Sequence, residues 1–413
     1  MRVVSDFHIH SRYSRATSHQ LDLDLLAQWA LYKGIGLLGT GDATHPLWLS
    51  ELKQKLKPTP HGLYEYKGVL FLPTAEVNTT FVSSGKSRRI HHVLLFPSLE
   101  VAEKTNSALS RYGDLLSDGR PTLSLSAAEL VKLLLNVSSD TLIVPAHAWT
   151  PHFSIFGANS GFNTVEECFG TQAKEIFCLE TGLSSDPAMN WRLSQLDRYT
   201  LISNSDSHSA SRIGREANVF ACEKPGYQEI IEILKTKDHK RFLYTIEFFP
   251  EEGKYHFDGH RACGTRISPL ESEIHQNRCP VCGKRVTIGV MHRICELADR
   301  PEGYEPPTKI PFKRMIPLDQ IIADAFGVGV TSKKVGEEYL HLVQKVAPEF
   351  ELLVDFPDEE LRKQLPPKIA EGILRVRAER VSILPGYDGE YGQVKIFQDE
   401  AKTQEKEKQL TLF

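Results

Sequence analysis

Val3-Val4-Ser5-Asp6-Phe7-His8-Ile9-His10 joins a short β-branched run to two imidazoles separated by one residue. In an extended strand alternate side chains share a face, so His8 and His10 point to the same side, just past the apolar stretch. The same arrangement recurs along the chain. Residues 36–38 run into Asp42, 69–72 into Glu76, and 141–144 into His147; 90–96 carries His91 and His92, and 201–203 runs into Asp206 and His208. A single His-x-His arises often by chance. A string of imidazoles and carboxylates, each tied to a separate apolar strand, does not.

Two further strand candidates, 175–179 and 242–246, and amphipathic stretches at 21–32, 127–135 and 227–234 complete an alternation of strands and helices. Such alternation predicts an α/β fold with parallel strands over residues 1–250, and polar residues past the strand ends are where a barrel gathers its active site. Imidazole nitrogen and carboxylate oxygen suit zinc, manganese or iron, and a shared carboxylate lets two ions sit together. Paired cations acidify water and clamp phosphate oxygens, which is the chemistry of phosphoester hydrolysis. Arg12 and Arg15, just past the first histidine pair, are candidate phosphate clamps, with ordinary surface arginines as the competing reading.

The chain has 413 residues, 41% hydrophobic and 25% charged, which suits a soluble protein of two or three units. A net charge of -4 excludes a uniformly basic coat but not a local basic stripe. Lys86 with Arg88 and Arg89, Lys309 with Lys313 and Arg314, Lys333 with Lys334, and Arg375 with Arg377 and Arg380 are candidates for one. The first ten residues lack a basic flank leading into an apolar run, so no signal peptide is expected. No apolar stretch approaches the roughly 18 residues needed to span a bilayer. Cys168, Cys178 and Cys222 lie singly in apolar surroundings and read as reduced thiols, which points to the cytoplasm.

Past residue 250 the pattern changes. His260-Arg261-Ala262-Cys263 and Cys279-Pro280-Val281-Cys282-Gly283 form two pairs with zinc-knuckle spacing, so 251–300 is expected to be a small module around one structural zinc. His256 competes with His260 as the fourth ligand, and Cys295 is expected outside the set. A proline-rich linker leads to a helical domain, 301–390, with apolar residues at Leu318, Ile321, Ile322, Val335, Tyr339 and Val343. Its loop around Gly327 and Gly329, followed by Lys333 and Lys334, loosely resembles a helix-hairpin-helix loop that holds a DNA phosphate; a plain interhelical turn is the alternative. Residues 391–413 read as a flexible charged tail. Its end, Gln409, Leu410, Thr411, Leu412 and Phe413, resembles the pentapeptide by which repair proteins hook the sliding clamp.

The segments ending in His10, Asp42, Glu76, His91, His147 and His208 resemble the successive motifs of the polymerase and histidinol phosphatase (PHP) superfamily. That resemblance implies a distorted seven-stranded β/α barrel with two or three divalent ions (zinc, manganese or magnesium). It further implies that His8 and His10 share one ion with Glu76 and Asp206, and that Glu76 bridges to a second ion held by His91. His147 and the Asp42 region would complete the site. The chain departs from the superfamily where Thr40-Gly41-Asp42 replaces the usual Thr-Asp-His, so a carboxylate would act there as ligand. With the cysteine module and the segments 254–263, 287–293 and 297–300, the whole chain resembles the endonuclease Q family. That likeness implies a DNA repair nuclease that nicks 5′ to a deaminated base (uracil, hypoxanthine or xanthine) or an abasic site. Unstacking the damaged nucleotide would need a pocket, for which the loop 181–191 and Trp149 are candidates.

Overall fold

The strand Arg2–Asp6 is central to its sheet in the computed structural model, which describes residues 1–397. On one side it pairs in parallel with Leu37–Gly39, which pairs in parallel with Val69–Leu72. On the other side it pairs antiparallel with Ala217–Ala221, and this strand with Phe242–Glu247. Pro73 has no N–H to continue a ladder. There the chain passes from Val69–Leu72 into Thr74–Ser83, which belongs to a second sheet with Lys86–Leu95, Thr122–Leu123 and Leu142–Pro145. A parallel pair, Cys178–Glu180 and Thr200–Ile202, follows.

Isolated bonds join these sheets. The Ala148 N–H donates to the Glu180 carbonyl at 2.9 Å, and Ser207 forms a parallel bridge to Ile9. The described strands thus form separate sheets of a mixed α/β fold that meet at these bonds, an open and distorted barrel and not a closed one. Helices Leu23–Lys33, Ala127–Val137 and Tyr227–Thr236 accompany it, and Asp22 caps the first while a Ser126–Glu129 capping box starts the second.

Several antiparallel pairings depart from the expected parallel pattern, among them those of Ala217–Ala221, of Tyr64–Tyr66 with Val69–Leu72, and of Leu142–Pro145 with Lys86–Leu95. The longest is the hairpin of Thr74–Ser83 and Lys86–Leu95, turned at Ser84 (φ 52°) and Gly85 (φ 72°). Two residues with left-handed φ make the turn whose twist matches flanking strands, and Ser-Gly after an apolar run was its only trace in the sequence.

Beyond the barrel, Asp258–His260 and Thr265–Ile267 form the hairpin of the cysteine module. Phe312–Arg314 then returns to the barrel and adds in parallel to the edge of Phe242–Glu247. Helices Leu318–Phe326, Lys333–Lys345, Asp358–Gln364 and Pro367–Arg377 form the helical part. A last hairpin, Ser382–Leu384 with Gln393–Lys395, reaches back to the cysteine module, where Asp388 accepts from the Arg261 N–H and the Thr287 hydroxyl. The Ile396 N–H donates to Asp324 at 2.8 Å, and Ile396 is buried. The expected tail boundary at 391 therefore moves past Phe397. The clamp-like residues Gln409 to Phe413 lie outside the described residues. No described helix is long and apolar enough to cross a membrane.

A buried ion pair ties the first helix to the helical part. Lys33 Nζ lies 2.6 Å from Glu349 Oε2, with both side chains at most 5% exposed. Glu349 also accepts from the Leu318 N–H at 3.0 Å and the Tyr339 hydroxyl at 2.7 Å. Replacing Glu349→Ala leaves three buried donors unpaired and should lower stability by about 3–5 kcal/mol. The denaturation midpoint of that variant checks this. The double replacement of Lys33→Met and Glu349→Leu should recover most of the loss, and an unchanged midpoint in the single variant would refute the role.

Candidate metal centre

Glu76 is the third residue of its strand, fully inside the barrel, and its two oxygens face different partners. Oε2 lies 3.3 Å from His8 Nε2 and 3.2 Å from His10 Nε2, and His10 Nε2 is 3.1 Å from Asp206 Oδ1. Oε1 lies 2.5 Å from His91 Nδ1 and 3.3 Å from His147 Nε2. The donors therefore form two groups that share Glu76: His8, His10, Glu76 and Asp206, and Glu76, His91 and His147, with the donor atoms of each group within 4.8 Å of one another.

Second partners set the tautomers. Both oxygens of Glu180 sit 3.0 Å from His8 Nδ1, and Asp42 Oδ1 sits 2.9 Å from His10 Nδ1. With the proton held at Nδ1, each Nε2 lone pair faces inward, the arrangement expected of metal-binding histidines. His8 Nε2 and Glu76 Oε2 are buried without a hydrogen-bond partner. Lone pairs converging on one point in a buried place fit a divalent cation.

Burial pushes His8 toward neutrality, but Glu180, Glu76 and Asp206 outweigh it and hold its pKa well above the usual value. Burial likewise opposes the charge on Glu76, while His91 and His8 hold its carboxyl well below the carboxylate range. Protons on the imidazoles offset the carboxylates here. A bound cation takes their place, so its affinity falls as pH falls. Asp6, pushed up to about 6 by burial, accepts from the Ser205 N–H at 3.1 Å and the Gly214 N–H at 2.9 Å and so anchors the loop that carries Asp206.

Several expected ligands take other places. Asp42 stands behind His10, held by the Ser11 N–H and hydroxyl at 2.7 Å each, and orients that imidazole from outside the donor groups. His208 sits at the mouth, 28% exposed, with its ring 4.3 Å from that of His10, and belongs to neither group. Between His91 and His92 the geometry decides: His91 meets Glu76, whereas His92 Nε2 meets the Thr79 hydroxyl at 3.0 Å on the other face. Arg12 is bound to Glu51 at 2.6 Å, and Arg15 lies 77% exposed beside Asp118, so neither pairs with a carboxylate of the donor groups.

Glu180 is a residue the sequence reading missed, although it ends the strand Cys178–Glu180 as the other site residues end theirs. Arg120, whose Nη1 is 3.5 Å from Glu76 Oε2, was missed too, and no strand precedes it to mark it. Of the pocket candidates, Trp149 is buried with its indole N–H on Asn190 at 2.8 Å, so both it and the 181–191 loop serve packing.

In the cysteine module, donor atoms of His260, Cys263, Cys279 and Cys282 lie within 4.8 Å of one another. The Thr265 hydroxyl and the backbone N–H groups of Cys282 and Val281 hold the Cys279 thiol down at about 6, which favours the thiolate that zinc binds. His256 is instead buried against Phe257, and that burial lowers its pKa to about 4. Cys295 lies apart, beside Arg192. In the helical part, Gly327 ends its helix with φ 65°, and the Val328 N–H returns to the Ala323 carbonyl at 3.0 Å, so an interhelical stop explains this glycine. A Cβ at Gly329 would meet nothing within 4 Å, and the Gly329 carbonyl accepts from the Ser332 N–H at 3.0 Å; Lys333 is 90% exposed, and Lys334 lies over the Phe326 ring. Most other basic clusters are internal braces: Arg88 holds the Ser160 carbonyl, Arg314 holds Asp186, and Arg377 holds the Leu352 and Leu353 carbonyls.

Imidazoles and carboxylates gathered in two groups at the strand ends of a β/α barrel define a metal-dependent phosphoesterase centre. The family model of the MJ0043 C-terminal domain matches residues 317–380. The lesion-specific endonuclease PfuEndoQ of Pyrococcus furiosus is 32% identical and superposes with a TM-score of 0.86 over 97% of each chain. An endonuclease Q complexed with a 27-mer duplex bearing an abasic lesion at its active site matches at 32% identity and a TM-score of 0.85, over 97% of this chain and 98% of that one. YqxK of Bacillus subtilis (strain 168), an uncharacterized protein, is 29% identical over 95% of this chain and 99% of its own length. The chain belongs to the endonuclease Q family.

The two donor sets should lose metal independently. Glu76→Gln is expected to strip cations from the barrel and leave the cysteine module loaded, while Cys279→Ser should release the zinc alone. Elemental analysis of the purified variants checks this, and equal metal content in all three proteins would remove both assignments.

Proposed function

We propose that this chain is a metal-dependent DNA endonuclease that hydrolyses the phosphodiester 5′ to a deaminated base (uracil, hypoxanthine or xanthine) or an abasic site. The observation that carries this reading is the shared Glu76 carboxylate between two imidazole-rich donor groups, in a chain alike over nearly its whole length to endonucleases Q. Two divalent ions, held by His8, His10, Glu76 and Asp206 and by Glu76, His91 and His147, would supply an activated water and a clamp on the phosphate. The chain's own residues do the rest. Glu180 and Asp42 fix the tautomers of His8 and His10, and Asp6 fixes the loop of Asp206. His208, 28% exposed at the mouth, would exchange a proton with the leaving oxygen. A zinc ion in the cysteine module would be held by His260, Cys263, Cys279 and Cys282 and would be structural, because four protein donors leave no position open.

The remaining parts suit a DNA enzyme in the cytoplasm, at the nucleoid. Lys333 and Lys334 at a helix start, after the Gly327–Gly329 turn, offer a phosphate contact. Gln409, Leu410, Leu412 and Phe413 would dock into an apolar pocket of the sliding clamp.

With added manganese, magnesium or zinc, duplexes with one uracil, hypoxanthine, xanthine or abasic site should be nicked at the 5′ side of the lesion, and undamaged duplex should stay intact. Mapping the cut on a sequencing gel checks this; a protein that spares every duplex but hydrolyses a small phosphomonoester would overturn it. Removing residues 409–413 should leave basal nicking unchanged and abolish stimulation by the clamp, and equal stimulation of both forms would dismiss the tail reading.

A further inference from the structure

A protein group that reads the negative charge of the scissile linkage would complement the ions, and the arginines expected for that task pair elsewhere. Arg12 is on Glu51, and Arg15, 77% exposed, pairs with Asp118. Arg215 donates to the Ser205 carbonyl at 2.9 Å. Arg120 alone among these pairs with a carboxylate of the donor groups. Its guanidinium is 28% exposed at the edge of the donor groups, with Nη1 3.5 Å from Glu76 Oε2, and among the described residues no side-chain hydrogen bond engages it.

The backbone that presents Arg120 is fixed on both sides. The Gly119 N–H donates to the Tyr13 carbonyl at 2.9 Å, and the Thr44 hydroxyl donates to the Gly119 carbonyl at 3.3 Å. A Cβ at Gly119 would lie 2.4 Å from the Asp42 carboxylate, so this segment is packed directly against the group that orients His10. On the other side the Pro121 carbonyl accepts from the Asn78 N–H at 2.9 Å, two residues past Glu76 on the same strand. Arg120 is thereby registered to both halves of the centre. A functional group held this way needs little reorganisation when its ligand arrives.

Charge completes the argument. Glu76 Oε2 already faces His8 and His10, and at 3.5 Å Arg120 makes no hydrogen bond to it. A half-buried guanidinium with five N–H donors is thus hydrogen-bonded to no anion. A phosphodiester offers two non-bridging oxygens whose geometry matches that fork. We infer that Arg120 is a catalytic residue that binds the non-bridging oxygens of the scissile phosphodiester, an assignment that rests on the nuclease reading above.

The test is a double-mutant cycle between protein and DNA. Wild type, Arg120→Ala and Arg120→Lys are compared on abasic duplexes whose scissile linkage is either natural or an uncharged methylphosphonate. Affinity is read by fluorescence anisotropy in EDTA, so that the readout does not depend on loaded metal. Arg120→Ala should weaken binding of the natural linkage about 10- to 100-fold, the size of one charge-assisted contact. It should bind the methylphosphonate duplex as wild type does. Arg120→Lys should recover part of the affinity through its charge alone. With metal added, Arg120→Ala should lose about 100-fold in kcat, as for loss of one preorganised donor, while elemental analysis finds its barrel cations retained. Penalties that multiply across the cycle would overturn the assignment, as would loss of the cations with unchanged metal-free binding, since Arg120 would then merely support Glu76. If wild type cleaves none of the duplexes, the nuclease reading itself falls; if it nicks normally and Arg120→Ala matches it, only the Arg120 assignment falls.

Discussion

One buried carboxylate, Glu76, is shared by two groups of imidazoles, and the rest of the molecule is arranged to make that sharing possible. An ionised carboxylate in a barrel interior is costly unless charge of opposite sign and well-placed donors surround it. Here the compensation comes from four histidines borne on three separate strands or their ends: His8 and His10, His91, and His147. None of these is adjacent to Glu76 in sequence. The fold brings them together at the break in the ladder at Pro73, where the chain leaves one sheet and enters the hairpin that carries both Glu76 and His91. A continuous parallel barrel would have directed Glu76 along the same course as its neighbours; the hairpin turns it across the mouth.

The backbone at the strand ends bears the consequence. Asp42, His147 and Asp206 all adopt left-handed φ, at 46°, 34° and 45°. Such conformations disfavour residues with a Cβ by roughly 1–3 kcal/mol each, and they persist where surrounding contacts over-determine them. Those contacts are present. Asp42 is held by Ser11 and Ser14, the His147 N–H by Glu180 at 2.9 Å, and the loop of Asp206 by Asp6. Glu180 is central to this support: it orients the ring of His8 and grips the backbone of His147, and so couples one donor group to the other.

How far the sequence could be read follows from these facts. His8, His10, His147 and Asp206 were legible because each follows an apolar run that folds as a strand. The choice between His91 and His92 was not, because it depends on register: Asn78 lies opposite His91, and Val77 opposite His92. Residues directly opposite share a face, so His91 joins Glu76 and His92 turns away. Asp42 read as a ligand because it too follows a strand; its left-handed turn carries it beneath His10 instead. Glu180 obeyed the strand-end rule but stood alone, with no neighbouring histidine to draw notice. Arg120 follows no strand, and its position depends entirely on tertiary bonds to residues far away in sequence. Cys263, Cys279 and Cys282 were legible from spacing, since ligand pairs within one tight turn need no tertiary information, whereas the choice of His260 over His256 needed the fold.

The later parts of the chain restrict how the barrel can meet a long polymer. Phe312–Arg314 extends a barrel sheet, Lys33 and Glu349 lock the helical part to the first helix, and the hairpin after Val381 binds the cysteine module through Asp388. Three attachments of different kinds, a sheet ladder, a buried ion pair and a hairpin clasp, oppose both hinge and sliding motions. An enzyme acting on a small ester would gain nothing from such bracing, because its substrate diffuses freely into the mouth. A duplex is stiff over the dimensions of this molecule, since its persistence length is about 50 nm. Appendages that grip it can place one linkage over Glu76 only if their distance from that carboxylate is constant. On the nuclease reading, the bracing around the barrel would be part of the chemistry: it would convert contacts made far from the centre into position at the centre, where an error of about 1 Å costs roughly 100-fold in rate.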